Sequence, residues 1–227
     1  VQSLGLQTFL NDIRLRRILI SPELDIQHIC DCFTGCSGLL DIAFSDGTSY
    51  HMANAVAAMA PGSDAPETVR AIAADICRMM EIQDGVITRF LTNLKHVELA
   101  EGITAIGKSC FFDKKGIISV RLPASLTEIG SRAFRNCINL ERVEFASGRV
   151  AIHKDAFKNC STLHTIRLAD GSEYELTGLS GQDETGAPSI VREIHAQVLG
   201  NFSISGTTLL RYRGSEERVV VPDGITV

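Results

Sequence analysis

Three cysteines lie close together near the amino terminus, in the spacing Cys30-x-Cys32-x3-Cys36. Thiolates at such spacing are typical zinc ligands, but a structural zinc site generally needs a second pair of Cys or His residues. No second pair follows at metal-ligand spacing. The chain has seven cysteines, an odd number, so they cannot all pair within it. We therefore predict neither a metal site nor a complete disulfide framework.

Nucleophilic and acid–base chemistry finds little support in the residue spacing. The segment Gly178-Leu-Ser180-Gly-Gln182 has Gln where a nucleophile elbow requires its final Gly. The six histidines form no HExxH motif and no pair four residues apart. His28 lies near Cys30, but proximity in sequence does not make a catalytic dyad. The sequence predicts that the chain is not an enzyme, with no catalytic residue and no cofactor.

Composition argues against two classes of partner. The 227 residues include 22 basic and 27 acidic side chains, for a net charge of −5, and 44% of residues are hydrophobic. An acidic chain without a cluster of Lys and Arg repels a phosphate backbone, so we expect no nucleic acid. No run approaches the roughly 18 consecutive apolar residues of a membrane helix, so we expect no membrane-spanning segment.

The sequence repeats with a period of 23 residues, and the repeating unit must position the Cys, Ser and His side chains considered above. Residues 93–116, 116–139 and 139–162 align without gaps, and only Lys114 breaks the recurring columns. Such regularity is typical of a stack of equal structural units. The columns are Leu94, Ile117, Leu140 and Leu163; Val97, Val120, Val143 and Ile166; Leu99, Leu122, Phe145 and Leu168; Ile106, Ile129 and Ile152; Cys110, Ala133 and Ala156; Phe111, Phe134 and Phe157; and Lys114, Cys137 and Cys160.

The same register continues toward both ends of the chain. Residues 1–20 superpose on residues 126–145, Phe33–Phe44 repeat Phe134–Phe145, and VVVPDGITV at the carboxyl end matches SVRLPASLT. Because both ends fall inside a repeat, we expect a piece of a longer array. Uncapped ends of a solenoid favour self-association, and added repeats should raise thermal stability.

The segment LPASLTEIGSRAFRNCINLERVEF resembles the BspA-like leucine-rich repeat, with the pattern LxxVxIPxxVxxIGxxAFxxCxxL. FSISGTTLLRYRGSEERVVVPDGIT resembles the hairpin that often precedes such repeats. The resemblance covers most of the chain and implies a solenoid of parallel strands without catalytic residues. It also implies a secreted or cell-surface location in bacteria and a role in adhesion or protein recognition. Arg149 and His153 depart from the pattern, at positions that are apolar and Gly in the other units.

The residue pattern itself predicts the same architecture. Apolar residues at the first, fourth and sixth positions of each unit indicate a short strand whose fifth side chain faces solvent. Stacked units form a parallel sheet, the Phe and the small residue before it fill the interior, and Gly107 and Gly130 are expected to permit a sharp bend. We predict an α/β repeat solenoid, a right-handed leucine-rich-repeat stack with a parallel sheet, in one domain over residues 1–227.

The register also assigns five cysteines to the solenoid interior. Cys32 and Cys110 occupy the column of small residues, and Cys36, Cys137 and Cys160 lie three residues after a Phe. Cysteine behaves at such positions as a compact buried hydrophobe. We expect these thiols to be unpaired and shielded, while Cys30 and Cys77 have no assignment.

Two partly helical insertions interrupt the array, at about residues 46–93 and 170–200. Both follow similar sequences, FSDGTSY and LADGSEY, in which Asp46-Gly47 and Asp170-Gly171 are predicted turns. In the first insertion, residues 51–60 and 66–82 are predicted helices, the second with a capping box of Asp64 and Glu67. Its apolar stripe favours packing on the solenoid over binding a partner. The stripe comprises Val69, Ile72, Ala73, Ile76, Cys77 and Met80. The second insertion is predicted to contain a short helix, with Ile190, Val191, Ile194 and Val198 on one face and Gly200 at its end.

The exposed strand positions form the candidate binding face. The fifth positions alternate in charge, which favours a salt-bridged sheet over a charged docking site, and the third positions are chemically mixed. If a protein partner binds the sheet, these two columns contact it. They comprise Arg17, Asp41, His96, Glu98, Ser119, Arg121, Arg142, Glu144, Thr165 and Arg167. We interpret the chain as a non-catalytic recognition or adhesion module. The alternative is a structural spacer that carries another domain of a longer surface protein.

Overall fold

The computed structural model describes residues 4, 7–24, 29, 31–52, 55–60, 62–176, 186–200, 202–205, 208–212 and 221. Contacts within the chain define two compact units. The first comprises Val1–Thr92 and Glu98–Ile103, and the second comprises Asn93–Val97 and Thr104–Val227. Cys30, His28, the segment Gly178–Gln182 and most of the predicted carboxyl-terminal strand lie outside the described residues.

The first unit combines a three-stranded sheet with two helices and a hairpin. Strands β1 and β2 are parallel, and β3 pairs antiparallel with β2. Strands β4 and β5 form the antiparallel hairpin. The elements are β1 Arg17–Ile20, β2 Asp41–Phe44, β3 Ser49–His51, α1 Ala55–Ala58, α2 Glu67–Ile76, β4 Met80–Gln83 and β5 Val86–Phe90.

The second unit is built on a longer stack of parallel strands. Its main sheet has the order β13-β12-β10-β8-β6, in which β8, β10 and β12 are parallel and β13 is antiparallel to β12. A separate row of short parallel strands contains β7, β9 and β11. The elements are β6 His96–Glu98, β7 Ala105–Ile106, β8 Ser119–Leu122, β9 Glu128–Ile129, β10 Arg142–Phe145, β11 Ala151–Ile152, β12 Thr165–Arg167, β13 Glu173–Glu175, α3 Ser189–Leu199, β14 Phe202–Ser205 and β15 Thr208–Tyr212.

The strand pairing confirms the period that the sequence predicts. Val143 of β10 lies opposite Val120 of β8 on one side and Ile166 of β12 on the other. In the first unit, Ile18 lies opposite Ile42. All five side chains are buried, as expected for the inward positions of strands with one covered face. The predicted solenoid of parallel strands is therefore confirmed.

The phenylalanines stack through the interior of the coils. The ring centroid of Phe134 lies 4.7 Å from that of Phe111 and 5.1 Å from that of Phe157, and the ring planes are within about 12° of parallel. In the first unit, Phe9 and Phe33 stack at 5.4 Å. The rings of Phe33, Phe111, Phe134 and Phe157 are wholly buried, so the Phe column is the centre of the core.

Left-handed residues, rather than the predicted glycines, turn the chain beside each Phe. Gly130 lacks a left-handed φ; a Cβ there would lie 2.8 Å from the Ile106 carbonyl oxygen, so glycine allows close approach of two coils. In every coil, the residues two before and two after the central Phe have positive φ. Most are Asn, Asp or Gly, which tolerate this conformation best. They are Gln7 and Asn11, Asp31 and Gly35, Ser109 and Asp113, Arg132 and Asn136, and Asp155 and Asn159.

Each insertion leaves its coil through the same kind of hairpin. Gly47 and Gly171 have φ of 91° and 85°, and they turn β2 into β3 and β12 into β13. The Asp46 carboxylate accepts bonds from the Thr48 backbone N–H at 2.9 Å and from its hydroxyl at 2.6 Å. The hydroxyl bond is the main cause of a lowered pKa at Asp46. The two predicted turns are therefore confirmed.

The helices of the first insertion differ from the predictions in extent. Of residues 51–60, Ala55–Ala58 form the four-residue α1, and His51 belongs to strand β3 instead. The second helix ends at Ile76, since Met80 and its followers form strand β4. The capping box is wrong as well: Pro66 is the N-cap residue, and no side chain caps the helix.

The apolar faces of both main helices are buried as predicted. In α2, the buried positions include Val69, Ile72, Ala73 and Ile76, followed by the buried Cys77 and Met80. In α3, they are Ile190, Val191, Ile194, Val198 and Leu199. Gly200 ends α3 as predicted, although in the right-handed conformation.

Candidate binding face

The main sheet of the second unit arranges most of the candidate residues in two rows. Arg142 lies between Ser119 and Thr165, and Glu144 lies between Arg121 and Arg167. Because the residues between these rows point into the core, both rows follow the outer face of the sheet. Arg121 and Arg167 are exposed, Arg142, Glu144 and Ser119 are half-buried, and His96 is exposed at the start of β6.

A shallow depression of about 320 Å³ lies where β8, β10 and β12 end. The side chains of Arg121, Glu144 and Arg167 line it in strand order. Phe145, Ala146, Leu168, Ala169 and the turn residue Gly171 complete the lining. The depression therefore combines two guanidinium groups and one carboxylate with a small apolar surface.

Ion pairs connect the strands of this face. An Arg142 guanidinium nitrogen lies 3.3 Å from a Glu173 carboxylate oxygen and 3.9 Å from one of Glu144. Arg167 lies 3.9 Å from the same Glu173 oxygen. These pairs run through Arg142 and the hairpin strand β13, where the sequence predicted pairing along the fifth-position column alone. Exposed pairs of this kind each contribute about 0–1 kcal/mol.

Thr165 does not share the exposure of the other candidates. Its side chain is almost fully buried, and its hydroxyl lies 2.9 Å from Glu175 Oε1 and 2.8 Å from His164 Nδ1. Strand β13 folds back beside β12 and brings Glu175 directly opposite Thr165. Thr165 was predicted to face a partner, and the hairpin explains why it is enclosed instead.

The remaining candidates belong to the first unit or to its boundary. Arg17 and Asp41 lie opposite each other on β1 and β2, and Asp41 Oδ1 lies 2.7 Å from His51 Nδ1. Arg17 is exposed and Asp41 half-buried. Glu98 ends β6 and is half-buried. The candidates therefore fall on two sheets, with Arg17 and Asp41 on the β1–β2 sheet of the first unit.

Two hydroxyl–imidazole pairs test the possibility of nucleophilic chemistry. His96 Nδ1 lies 2.8 Å from Ser119 Oγ, and His164 Nδ1 lies 2.8 Å from Thr165 Oγ1. In a catalytic triad, one imidazole nitrogen faces the nucleophile and the other faces the acid. Here Nδ1 of His164 faces both Thr165 and Glu175, at 3.3 Å from the latter, and the hydroxyl is buried. This geometry lacks the arrangement of a triad.

The repeat cysteines are buried free thiols, as predicted. The thiols of Cys36, Cys137 and Cys160 donate to the backbone carbonyls of Phe9, Phe111 and Phe134, at 2.8, 3.1 and 3.1 Å. Burial raises the pKa of Cys36 to about 11 and those of Cys110 and Cys137 to about 12. It also raises the pKa of Cys160. Such thiols are poor nucleophiles and poor metal ligands at neutral pH.

Cys77 has the same character in the first insertion. It is buried at the end of α2, and burial raises its pKa to about 12. Within the described part of the chain, no three His, Cys, Asp or Glu side chains are grouped so that they could hold a metal ion. No helix in that part is long and apolar enough to cross a membrane.

Sequence reasoning missed the contribution of the β12–β13 hairpin to this face. Glu173 lies opposite Arg167 and bridges two arginines, and Glu175 encloses Thr165. The Asp170-Gly171 turn was the available signal, because a two-strand hairpin about this turn places Glu173 beside the fifth position of β12 and Glu175 beside the third.

Residues 81–176 match the family model described as the BspA type leucine rich repeat region, in six copies. A T. pallidum leucine rich repeat protein shares 27% identity over 39% of this chain and 47% of its own, with a TM-score of 0.37. A leucine rich cell surface protein from Faecalibacterium prausnitzii A2-165 shares 29% identity over 37% of this chain and 25% of its own, with a TM-score of 0.33. Each alignment therefore spans less than half of this chain and less than half of the protein it is compared with. No curated protein matches the sequence.

The family match covers most of the β4–β5 hairpin and the coils from β6 to the β12–β13 hairpin. It is the region in which the strand register repeats and the phenylalanines stack. This match identifies residues 81–176 as BspA-type leucine-rich repeats.

Proposed function

We propose that this chain is a non-catalytic protein-recognition module that binds its partner on the outer face of the second unit's main sheet. The observation that carries the proposal is the depression lined by Arg121, Glu144 and Arg167. Adjacent parallel strands hold these three side chains in fixed order, and a rigid scaffold reduces the entropy lost on binding. The guanidinium groups suit a partner segment with carboxylate side chains.

The family match supports an interaction role for the repeats, and we propose adhesion at a bacterial cell surface as its setting. Two further observations support a module without catalysis. The His164–Thr165 pair lacks the geometry of a triad, and the described repeat thiols are buried, with raised pKa values at Cys36, Cys110, Cys137 and Cys160. The proposal therefore rests on surface recognition alone.

A structural spacer is the second candidate, and the ion pairs favour it. Arg142 and Arg167 both lie near Glu173, so the face neutralises part of its own charge. A spacer needs a rigid stack with a solvated surface and no partner on it. The two candidates differ in one respect that can be measured: only a recognition module loses binding when the face is altered.

Selection of a random peptide display library on the immobilised chain tests the proposal. We expect enriched peptides that compete with one another and lose at least tenfold in affinity for Arg121→Glu and Arg167→Glu. Lys154→Glu is the matched control, because it makes the same charge change at an exposed coil residue outside the sheet. Peptides insensitive to both arginine variants, or a library without binders, would favour the spacer.

A further inference from the structure

A backbone ladder joins consecutive coils along the Phe column. The N–H of Phe111 donates to the carbonyl of Ala133 in the next coil at 2.8 Å, and the N–H of Phe134 donates to Ala156 at the same distance. The N–H of Asn136 likewise donates to Lys158 at 3.0 Å. Each coil thus needs acceptors from the coil that follows it. The last coil of a stack must find them elsewhere, because a buried unpaired N–H is costly.

Helix α3 supplies the acceptor at the last described coil of the second unit. Phe157 N–H donates to the Gln197 side-chain Oε1 at 3.0 Å, in place of a backbone carbonyl. The amide nitrogen of Gln197 donates to the His153 carbonyl at 3.1 Å and to Glu193 Oε1 at 2.8 Å. One side chain therefore joins α3 to the coil at two points and is itself held by its own helix.

Helix α2 does the same in the first unit, where Phe33 occupies the position of Phe157. Asp75 is wholly buried; its Oδ2 accepts the N–H of Phe33 at 2.7 Å, and its Oδ1 accepts that of Asp31 at 2.9 Å. Gly35 N–H donates to the Ile76 carbonyl at 3.3 Å. Arg78 Nε lies 2.8 Å from Asp75 Oδ1 and supplies the opposite charge that a buried carboxylate requires.

The two helices also correspond in sequence. Residues 65–76 read APETVRAIAADI and residues 187–198 read APSIVREIHAQV, with Ala-Pro, Val-Arg and Ile at the same spacing. The N-cap prolines have nearly the same backbone angles, φ −51° and ψ 149° at Pro66 and φ −56° and ψ 149° at Pro188. This alignment places Asp75 on Gln197. A hairpin with an irregularity at the same point follows each helix.

We propose that α2 and α3 are two copies of one end cap, in which Asp75 and Gln197 replace the acceptors of a missing coil. By pairing the N–H groups of Phe33 and Phe157, the caps also stop each coil edge from pairing with a coil of another chain. Open strand edges are the usual route to such association. Each of the two described stacks then has its own termination device.

Gln197→Leu tests the cap, because Gln197 is half-buried and Leu has similar volume without an acceptor. We expect at least tenfold faster hydrogen exchange at the Phe157 amide, unchanged exchange at Phe134, and a larger oligomeric fraction in sedimentation velocity. Arg192→Leu is the matched control, since it adds the same apolar group to the exposed face of the same helix. Unchanged exchange at Phe157, or equal oligomerisation of both variants, would overturn the proposal.

Replacement of residues 65–76 by the sequence of residues 187–198 tests whether the caps are equivalent. The exchanged chain carries Gln at position 75, so we expect its Phe33 amide to remain protected and its oligomeric state to match that of the unaltered chain. A folded chain with an unprotected Phe33 amide would show that the helices are not copies of one cap. If the exchanged chain does not fold, hydrogen exchange is measured in the Asp75→Leu variant instead. Normal protection of its Phe33 amide would refute the capping role.

Discussion

At the scale of single residues, the Phe column and the thiols beside it make up the interior of each coil. Phe134 stacks between two other rings and is wholly buried, whereas Glu144 on the outer face is half-buried and lies 3.9 Å from Arg142. The two residues lie in the same repeat, so they provide a matched comparison of interior and surface.

We expect Phe134→Ala to lower the free energy of unfolding by about 3–5 kcal/mol, because it opens a cavity between two rings. Glu144→Ala removes one weak exposed ion pair and should cost less than about 1 kcal/mol. Denaturant titration of both variants measures the difference. Losses of similar small size would mean that the assigned register is wrong.

The buried thiols make stability fall at alkaline pH. In the unfolded chain they ionise near the ordinary pKa of 9.0, while burial holds the pKa of Cys137 at about 12. Between these values the native state binds more protons, so the free energy of unfolding decreases as pH rises, by up to about 1.4 kcal/mol per unit for each thiol. Cys137→Ala should reduce this slope in denaturant titrations at pH 8–10.5. Identical slopes in both proteins would contradict burial of the ionisable thiol.

Thiol labelling tests the same burial at neutral pH. Cys36, Cys110, Cys137 and Cys160 are buried, and Cys32 is fully enclosed. We expect native protein to remain largely unmodified by a thiol reagent, with rapid modification only after denaturation. Fast reaction of Cys137 and Cys160 in native protein, or a bridge between them in non-reducing mass analysis, would refute their shielding.

At the scale of elements, the turns that lead out of the coils depend on backbone conformation alone. Gly47 has φ of 91°, and a Cβ there would have no neighbour within 4 Å. Gly148 also has open space around it, but its φ is ordinary. Because neither position has a steric conflict, a comparison of the two Ala variants isolates the cost of a left-handed φ.

We expect Gly47→Ala to destabilise the protein by about 1 kcal/mol, because Ala resists the left-handed region. Gly148→Ala should be neutral or stabilising by up to about 1 kcal/mol, since it only restricts the unfolded chain. Thermal melts of the two variants measure the contrast. Equal shifts in Tm would show that the turn does not require its left-handed conformation.

The sequence predicted the elements that repeat, because each has several copies whose columns support one another. The register of β8, β10 and β12 and the Phe stack followed from this agreement. Strand β4, which lies outside the 23-residue columns, was predicted as the end of a helix, since MMEI is apolar enough for either structure. The role of Asp75 was also missed, because its partner Phe33 is 42 residues away.

At the scale of the whole molecule, two apolar side chains near the amino terminus are exposed to solvent. Leu10 and Ile13 of the first coil are 38% and 36% exposed. The sequence predicted self-association through uncapped coils, and this stays a prediction. The surroundings of the candidate residues were predicted only in part, because Thr165 and Arg167 have contacts with the β12–β13 hairpin.

We expect the chain to self-associate with increasing concentration, and Leu10→Lys with Ile13→Lys to shift sedimentation toward the monomer. Phe112→Lys is a matched control, because Phe112 is 44% exposed in a coil of the second unit. An equal effect of the control would show that general charge, rather than the first coil, governs association.

The backbone ladder and the Asp-Gly turns differ in their tolerance of added sequence. One residue inserted within a coil changes the phase of the stack: the Phe111 N–H and the Ala133 carbonyl no longer meet, and the Phe side chain leaves the interior. A residue inserted after Gly47 or Gly171 lies at a hairpin tip and leaves the phase of every coil intact. Chains of this design should therefore gain and lose whole coils, while irregular changes in length collect beyond the β2–β3 and β12–β13 tips.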